Sequence, residues 1–267
     1  MSLYRFISNY ILFKFDPELI HDILQRILSS KLGPLITRLF ATNSTHTITT
    51  NLMGIELKSN IALAAGFDKN CTMLNSLDKL GFGYIVGGTI TLDPREGNPK
   101  PRIIRYKIDE SMINSLGFPN HGLERIKHNL KNKKLKTPLL LSISGDSIEE
   151  ISQLYKSLSN YCEGYEINIS SPNTERLKFF HDTKNLTNLL IALNKIKNKP
   201  YMLKIPRFEN LDDINQRKSF EQFIKLAISS NSESSNQLKP GITPPEIESS
   251  ELGIRPILRN ATIDSVF

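Results

Sequence analysis

The stretch from Leu139 to Ile169, LLLSISGDSIEEISQLYKSLSNYCEGYEINI, decides the fold. It opens on an apolar run, Leu139 to Ile143, that ends near Gly145. Ser147 then stands three residues before Glu150, the capping-box pairing that satisfies free N–H groups at a helix start. Ile148, Ile151, Leu154 and Leu158 follow at helical spacing. A second apolar run, Tyr165 to Ile169, closes the unit. Strand, helix and strand in so short a span imply parallel strands joined by a covering helix.

The same alternation continues on both sides. Upstream, Ile61 to Ala65 is an apolar run ending at Gly66, and Cys71 to Leu80 reads as a helix closed by Gly81. Tyr84 to Val86 is the next strand and ends at Gly87-Gly88-Thr89. Downstream come a helix, Leu186 to Ile196, a strand, Tyr201 to Ile205, and a helix near Phe220 to Ala227. The pattern predicts an α/β fold with a parallel sheet, whose functional residues sit at the C-terminal ends of the strands. Asp68, Lys69, Thr89, Asn168, Ser171, Asn173 and Lys204 all fall there. An open doubly wound sheet fits the alternation too, but no Gly-rich dinucleotide fingerprint follows the first strand. That favours a TIM-type (β/α)8 barrel.

Five strand–helix units fill Ile61 to Ile228, and only 39 residues follow. Three more units are needed to close such a barrel. Residues 229–236 are polar and low in complexity, and Pro240, Pro244 and Pro245 follow, so this end reads as loop or disorder. The expectation is a barrel incomplete at its C-terminus.

At the other end, Leu3, Phe6, Ile7, Tyr10 and Ile11 recur at helix spacing. Asp16 reads as an N-cap with Pro17 at the first helical position. Leu19, Ile20, Ile23, Leu24, Ile27 and Leu28 then line one face, with Arg5, Lys14 and Arg26 flanking. Periodicity favours a small helical cap packed on the main domain; a pair of helices lying on a bilayer is the other reading. The divisions are 1–45 for this extension, 46–228 for the barrel portion and 229–267 for a divergent C-terminal segment.

Composition narrows the classes. Hydrophobic residues are 39% and charged residues 23%, ordinary for a globular chain. Cys71 and Cys162 give neither a disulfide framework nor a metal-ligand spacing, and fit a reducing cytoplasm; the five histidines are scattered, so no metal site is expected. The net charge of +7 admits nucleic acid, an anionic membrane or an acidic small molecule. The basic run Lys127 to Lys136 has no interleaved aromatics and reads as a solvated helix end, so no nucleic-acid partner is expected. No apolar stretch is long enough to span a bilayer, and no small-residue cleavage site marks a secretory signal.

Five segments, in order, resemble those of the dihydroorotate dehydrogenase family. Ala64-Ala65-Gly66-Phe67-Asp68-Lys69-Asn70 looks like its first flavin loop. Gly81-Phe82-Gly83-Tyr84 through Gly87-Gly88-Thr89 to Gly97-Asn98-Pro99-Lys100-Pro101-Arg102 resembles the second strand and its long loop. Met112-Ile113-Asn114-Ser115-Leu116-Gly117-Phe118-Pro119-Asn120 resembles the substrate loop. Glu166-Ile167-Asn168-Ile169-Ser170-Ser171-Pro172-Asn173-Thr174, the most specific of the five, resembles the catalytic segment, and Met202-Leu203-Lys204-Ile205 the flavin-contacting lysine strand. The resemblance covers roughly residues 4 to 228. Phe15-Asp16-Pro17-Glu18 is similar to the start of the N-terminal extension of the membrane-associated class, which turns the reading of that extension toward a membrane surface.

The resemblance implies oxidation of (S)-dihydroorotate to orotate with FMN and a membrane quinone, in pyrimidine (UMP) synthesis, by a cytoplasmic enzyme peripheral on the membrane. Serine at 171, where the soluble class has cysteine, points to the quinone-reducing class, with Ser171 as the base that takes the C5 proton. Ala65, Gly66, Lys69, Thr89, Asn168 and Lys204 would hold the flavin. Lys69, Asn114, Ser115, Leu116, Gly117, Phe118, Asn168 and Asn173 would hold the substrate. Side-chain amides suit ring amides because they donate and accept at once. Taken alone, Ser170-Ser171-Pro172 is an ordinary turn, and each asparagine a turn cap.

Two departures from the family stand out. Leu141-Ser142-Ile143-Ser144 carries serine where the membrane class has a flavin-contacting asparagine. After Ile228 the Asn-Thr clamp and the strands that hold the flavin phosphate have no counterpart. This leaves an alternative: a catalytically inactive remnant acting as a membrane-surface or interaction protein.

Overall fold

The structure is a computed structural model that describes residues 14–41, 50–106, 111–170 and 179–204. The helix expected over Leu3 to Ile11, the one near Phe220 to Ala227 and the segment 229–267 lie outside the described residues.

Helices α1 (Pro17–Ser29) and α2 (Gly33–Arg38) precede an antiparallel hairpin of β1 (Thr50–Leu52) and β2 (Ile55–Leu57). A short helix α3 (Leu74–Leu77) leads to β3 (Ile85–Ile90), and a second hairpin follows, β4 (Ile103–Tyr106) with β5 (Ser111–Asn114). Then come α4 (Gly122–Leu130), β6 (Leu139–Ile143), α5 (Ile148–Leu158), β7 (Gly164–Asn168), α6 (Thr183–Ile196) and β8 (Tyr201–Lys204).

The parallel sheet runs β3-β6-β7-β8, and Leu63 bridges Ile85 on the free side of β3. Every strand thus lies beside the one before it in the parallel series. A doubly wound sheet reverses direction at a switch point; this one does not, and the arrangement is the wall of a TIM-type barrel. The expected first strand at Ile61 to Ala65 is reduced to that single bridge. Its backbone still follows the next strand, with Gly83 N–H donating to Ile61 O, Val86 N–H to Leu63 O and Gly66 N–H to Gly88 O.

The core explains why these runs become strands. All residues of β3 and β6 are buried, as parallel strands covered on both faces require. Ile151, Leu154, Tyr155 and Leu158 pack from α5, and Leu186, Leu189, Leu190 and Leu193 from α6. Each such aliphatic side chain stabilises the fold by about 2 kcal/mol. The Tyr155 ring lies 4.3 Å from that of Tyr165, whose hydroxyl donates to Tyr155 O at 2.7 Å.

Local signals explain the ends. Asp16 accepts the Leu19 N–H at 2.9 Å, ahead of Pro17. Ser147 accepts the Glu150 N–H at 3.2 Å, but the Glu150 carboxylate takes the Asp146 N–H at 2.8 Å, one residue short of the usual reciprocal bond. The helix expected over Cys71 to Leu80 holds α-geometry only at Leu74–Leu77. Cys71 has φ 55° and so stands outside a helix, while Lys79 and Leu80 continue as single turns up to Gly81.

Helix α1 packs on the barrel wall through one side. Leu28 is buried, Ser76 Oγ donates to Leu28 O at 2.5 Å, and Gln25 Nε2 donates to Thr72 Oγ1 at 3.1 Å. Its apolar face is wider than that contact, so Leu19, Ile23 and Ile27 remain exposed. No described helix is long and apolar enough to cross a membrane.

Candidate active site

The loop after Leu63 begins at Gly66, which has φ +105°. Among the described residues, a Cβ at Gly66 would meet nothing within 4 Å, so this backbone faces open space there. The next anchor is Asp68, fully buried. It accepts the Thr72 N–H at 2.9 Å on one oxygen and the Met73 N–H at 2.8 Å on the other. Burial outweighs those bonds and pushes its carboxyl up to about 6. Lys69 follows. Burial lowers its ammonium from the usual value, while Glu18 and Asp22 pull the other way. Asn70 ties this loop to the next, because its Oδ1 accepts the His121 N–H and its carbonyl the Asn129 side-chain amide, each at 2.9 Å.

Three strands then contribute a buried polar chain. Gly88 donates its N–H to Asp68 O at 3.1 Å and has φ +111°; a Cβ there would lie 2.5 Å from Ser142 O. Only glycine lets β3 pass β6 so closely. This brings Thr89 Oγ1 within 2.9 Å of Ser142 Oγ. Asn168 Nδ2 donates to Thr89 Oγ1 at 3.0 Å, and Ser142 donates to Glu166 Oε1 at 2.7 Å. The β6–β7 register sets Ser142 opposite Glu166. Asn168 Oδ1 accepts from the Ser170 N–H and hydroxyl at 3.2 and 2.9 Å, and its backbone carbonyl accepts from Ser144 Oγ. Lys204, on β8, is the register partner of Asn168. Partners in adjacent strands project to the same side, so Lys204 and Asn168 share a face of the sheet.

The expected substrate loop leaves the β4–β5 hairpin. Ser115 N–H donates to Arg102 O at 2.9 Å, and Asn98 holds the loop by bonds to Leu116 O and Ser115 O. Phe118 has φ 57°, and Asn120, buried, accepts the Thr91 N–H and donates to Thr91 Oγ1 and Phe118 O. Asn120 therefore pins the loop to the end of β3.

Among the sequence-derived candidates, the structure places Gly66, Lys69, Thr89, Asn168 and Lys204 on strand ends or in the loops after them. Ala65 lies half-buried beside Gly66. Asn114 is the last residue of β5, half-buried, and Ser115, Leu116, Gly117 and Phe118 form the loop just described. Ser171 and Asn173 lie outside the described residues. Sequence reasoning overlooked Glu166 and the tethers Asn70 and Asn120. A charged residue two before Asn168 in a strand pattern was the available signal, because alternation puts both on one face. In the sequence Ser142 stands out only as a departure from the family, yet it joins Thr89 to Glu166. Among the described residues no group of His, Cys, Asp and Glu is placed to hold a metal ion.

Comparison with known proteins agrees with this geometry. A sequence model of the family "Dihydroorotate dehydrogenase" matches residues 47–253. A dihydroorotate dehydrogenase (quinone) of Christiangramia forsetii is 34% identical over 225 residues, covering 76% of this chain and 64% of that protein. One of Bartonella tribocorum is 30% identical over 282 aligned positions, covering 98% and 76%. The crystal structure of DHODH from Eimeria tenella in complex with ferulenol superposes with a TM-score of 0.69 at 25% identity, over 81% of this chain and 64% of that one. The chain thus spans 64% of the length of the Christiangramia protein and of the Eimeria chain.

Proposed function

Since the chain belongs to the dihydroorotate dehydrogenase family, we propose that it oxidises (S)-dihydroorotate to orotate, with FMN as cofactor and a quinone as final electron acceptor, in pyrimidine biosynthesis. One observation carries the reading. The open backbone at Gly66 and the buried donors and acceptors of Thr89, Asn168 and Ser142 lie at or near the strand ends where a barrel binds its ligand.

These residues fit a flavin. A side chain at Gly66 would fill the space in front of the loop; glycine leaves that space clear of the described residues, so a flat ring can approach the backbone. Ala65, Gly66, Thr89 and Asn168 would hold that ring, with the Lys69 and Lys204 ammonium groups nearby. Bound FMN would supply the two-electron acceptor.

The protein's own groups do the rest. Ser171, three residues after Asn168 in the sequence, takes the C5 proton of the substrate as base. The Asn168 amide is immobilised by Ser170 and Thr89, so it meets the substrate already oriented. Lys69 is held among Glu18, Asp22 and Arg102, and its charge pairs with an anionic substrate. Asn114, Asn173 and Ser115, Leu116, Gly117 and Phe118 would hold the substrate ring. Asn70 and Asn120 keep that loop in register with Lys69.

The extension 1–45 acts as the membrane-associating part, supported by the exposed row Leu19, Ile23 and Ile27 on α1. A position on the cytoplasmic face suits Cys71 and Cys162, both buried and free.

The test is a purified, FMN-supplemented preparation assayed for orotate formation with a soluble quinone, beside Ser171→Ala. Turnover in the parent and its loss in Ser171→Ala, by about a hundredfold or more with flavin absorbance kept, is the expected result. A colourless protein that FMN cannot reconstitute would sink the proposal, and full turnover in Ser171→Ala would sink the choice of base.

A further inference from the structure

Resting on the flavin reading, we propose that Glu166 is a positioning residue of this site: as terminal acceptor it sets the direction of the hydrogen-bonded chain Asn168–Thr89–Ser142–Glu166, and so decides what Thr89 and Asn168 can offer a bound ring.

The argument is a count of protons. Ser142 has one hydroxyl hydrogen, and it goes to Glu166 Oε1 at 2.7 Å. At the 2.9 Å contact between Ser142 and Thr89 the donor is therefore Thr89. That uses the only hydroxyl hydrogen of Thr89, whose oxygen already accepts from Asn168 Nδ2 at 3.0 Å. Asn168 Oδ1 is taken up by Ser170, so the amide is fixed with nitrogen toward Thr89 and oxygen toward Ser170. Among the described residues, one N–H of Asn168 and one lone pair of Thr89 remain. The site consequently presents one donor beside one acceptor. That pattern complements a cyclic imide or ureide edge, where N–H stands next to C=O. Both the flavin pyrimidine ring and dihydroorotate carry such an edge.

Thr89, Ser142 and Asn168 are buried, so water does not readily replace a missing partner. Without an acceptor at residue 166 the Ser142 hydrogen turns to Thr89, and the Thr89 hydrogen turns to the ligand. The pair then offers two donors to an edge that needs one, and the mismatch costs about tenfold in affinity.

Two variants separate direction from charge. Glu166→Gln keeps a carbonyl oxygen for Ser142, whereas Glu166→Leu has similar bulk and no acceptor. The first readout needs no flavin: the ¹H–¹⁵N signals of the Asn168 side-chain amide, assigned by their loss in Asn168→Asp. They are expected to stay within about 0.1 ppm in ¹H for Glu166→Gln and to shift clearly in Glu166→Leu, as the donor–acceptor pattern at Thr89 reverses. The second is the dissociation constant of FMN, and then of orotate on the FMN-loaded protein; whichever rises about tenfold in Glu166→Leu but under threefold in Glu166→Gln identifies the ring that reads the pair.

Ser142→Ala cuts the chain at its middle and frees the same Thr89 hydrogen. It should reproduce the Glu166→Leu affinity loss, and it decides the matter if Glu166→Leu does not fold. Equal behaviour of Gln and Leu would assign the effect to charge and overturn the proposal. So would wild-type amide shifts and affinities in Glu166→Leu or Ser142→Ala. If the parent protein takes up no FMN, the flavin reading falls, and the amide signals still decide the direction of the chain.

Discussion

Arg102 grips Glu18 with two nitrogens, Nη2 at 2.8 Å and Nε at 3.0 Å from the same carboxylate oxygen, so the loop before β4 is fastened to α1. The remaining Arg102 nitrogen, Nη1, donates to Glu96 O and Asn98 O. Both side chains are largely buried, at 10% and 15% exposure, which places the pair among those that matter when one partner is removed.

Burial works against the Glu18 charge, but hydrogen bonds and attraction from Arg102, with help from Lys100, outweigh it and hold the carboxyl below its ordinary value. A depressed folded-state value adds stability above the unfolded value near 4.5, and that stability is lost as pH falls through the folded value. Arg102→Met is expected to cost about 2 kcal/mol at neutral pH. It should also flatten the acid limb of the melting-temperature profile below pH 4.5. Urea melts of the variant and parent at pH 7 and at pH 3.5 check this: an equal difference at both pH values would remove Glu18 from the account.

Asp68 has the opposite sign. Its folded-state value of about 6 lies above the ordinary carboxyl value of 3.8. The resulting stability is complete below the unfolded value and is lost as pH rises through the folded one. About 3 kcal/mol of it disappears between pH 4 and pH 6.5. The expected measurement is a ¹³C titration of the Asp68 carboxyl with a midpoint near 6. A midpoint at or below 4 would show that the N–H bonds from Thr72 and Met73 overcome burial.

Much of this could be read from the chain because the signals were local. Asp16-Pro17 starts α1, and Ser147 with Glu150 starts α5, since a cap acts within one turn. The parallel order followed from strands alternating with helices. Both hairpins escaped notice. The β1–β2 turn depends on Met53 and Gly54 at positive φ, and methionine gives no turn signal. The chain ending at Glu166 escaped for another reason. Thr89, Ser142, Glu166 and Asn168 lie on three strands, and their contact depends on a register that no single segment encodes.

The exposed row Leu19, Ile23 and Ile27 leads to a separate expectation. Replacing Leu19 and Ile23 by glutamate should weaken co-sedimentation with vesicles containing anionic lipid by about tenfold or more, because two apolar side chains no longer enter the interface. The melting temperature should stay within a few degrees, as both side chains are about half exposed, at 49% and 45%. Unchanged sedimentation would detach α1 from any role at the bilayer.

The pairing of Ser142 with Glu166 and of Asn168 with Lys204 has a consequence for how faults in folding would show themselves. Side chains alternate along a strand, so a slip of β7 by a single position would turn Glu166 and Asn168 outward and bring Tyr165 and Ile167 into the barrel's interior. Core and ligand contacts would be lost together. A misaligned copy could not persist as a well-packed but idle protein; it would be unstable as well as inert, and open to removal by the cell's proteases.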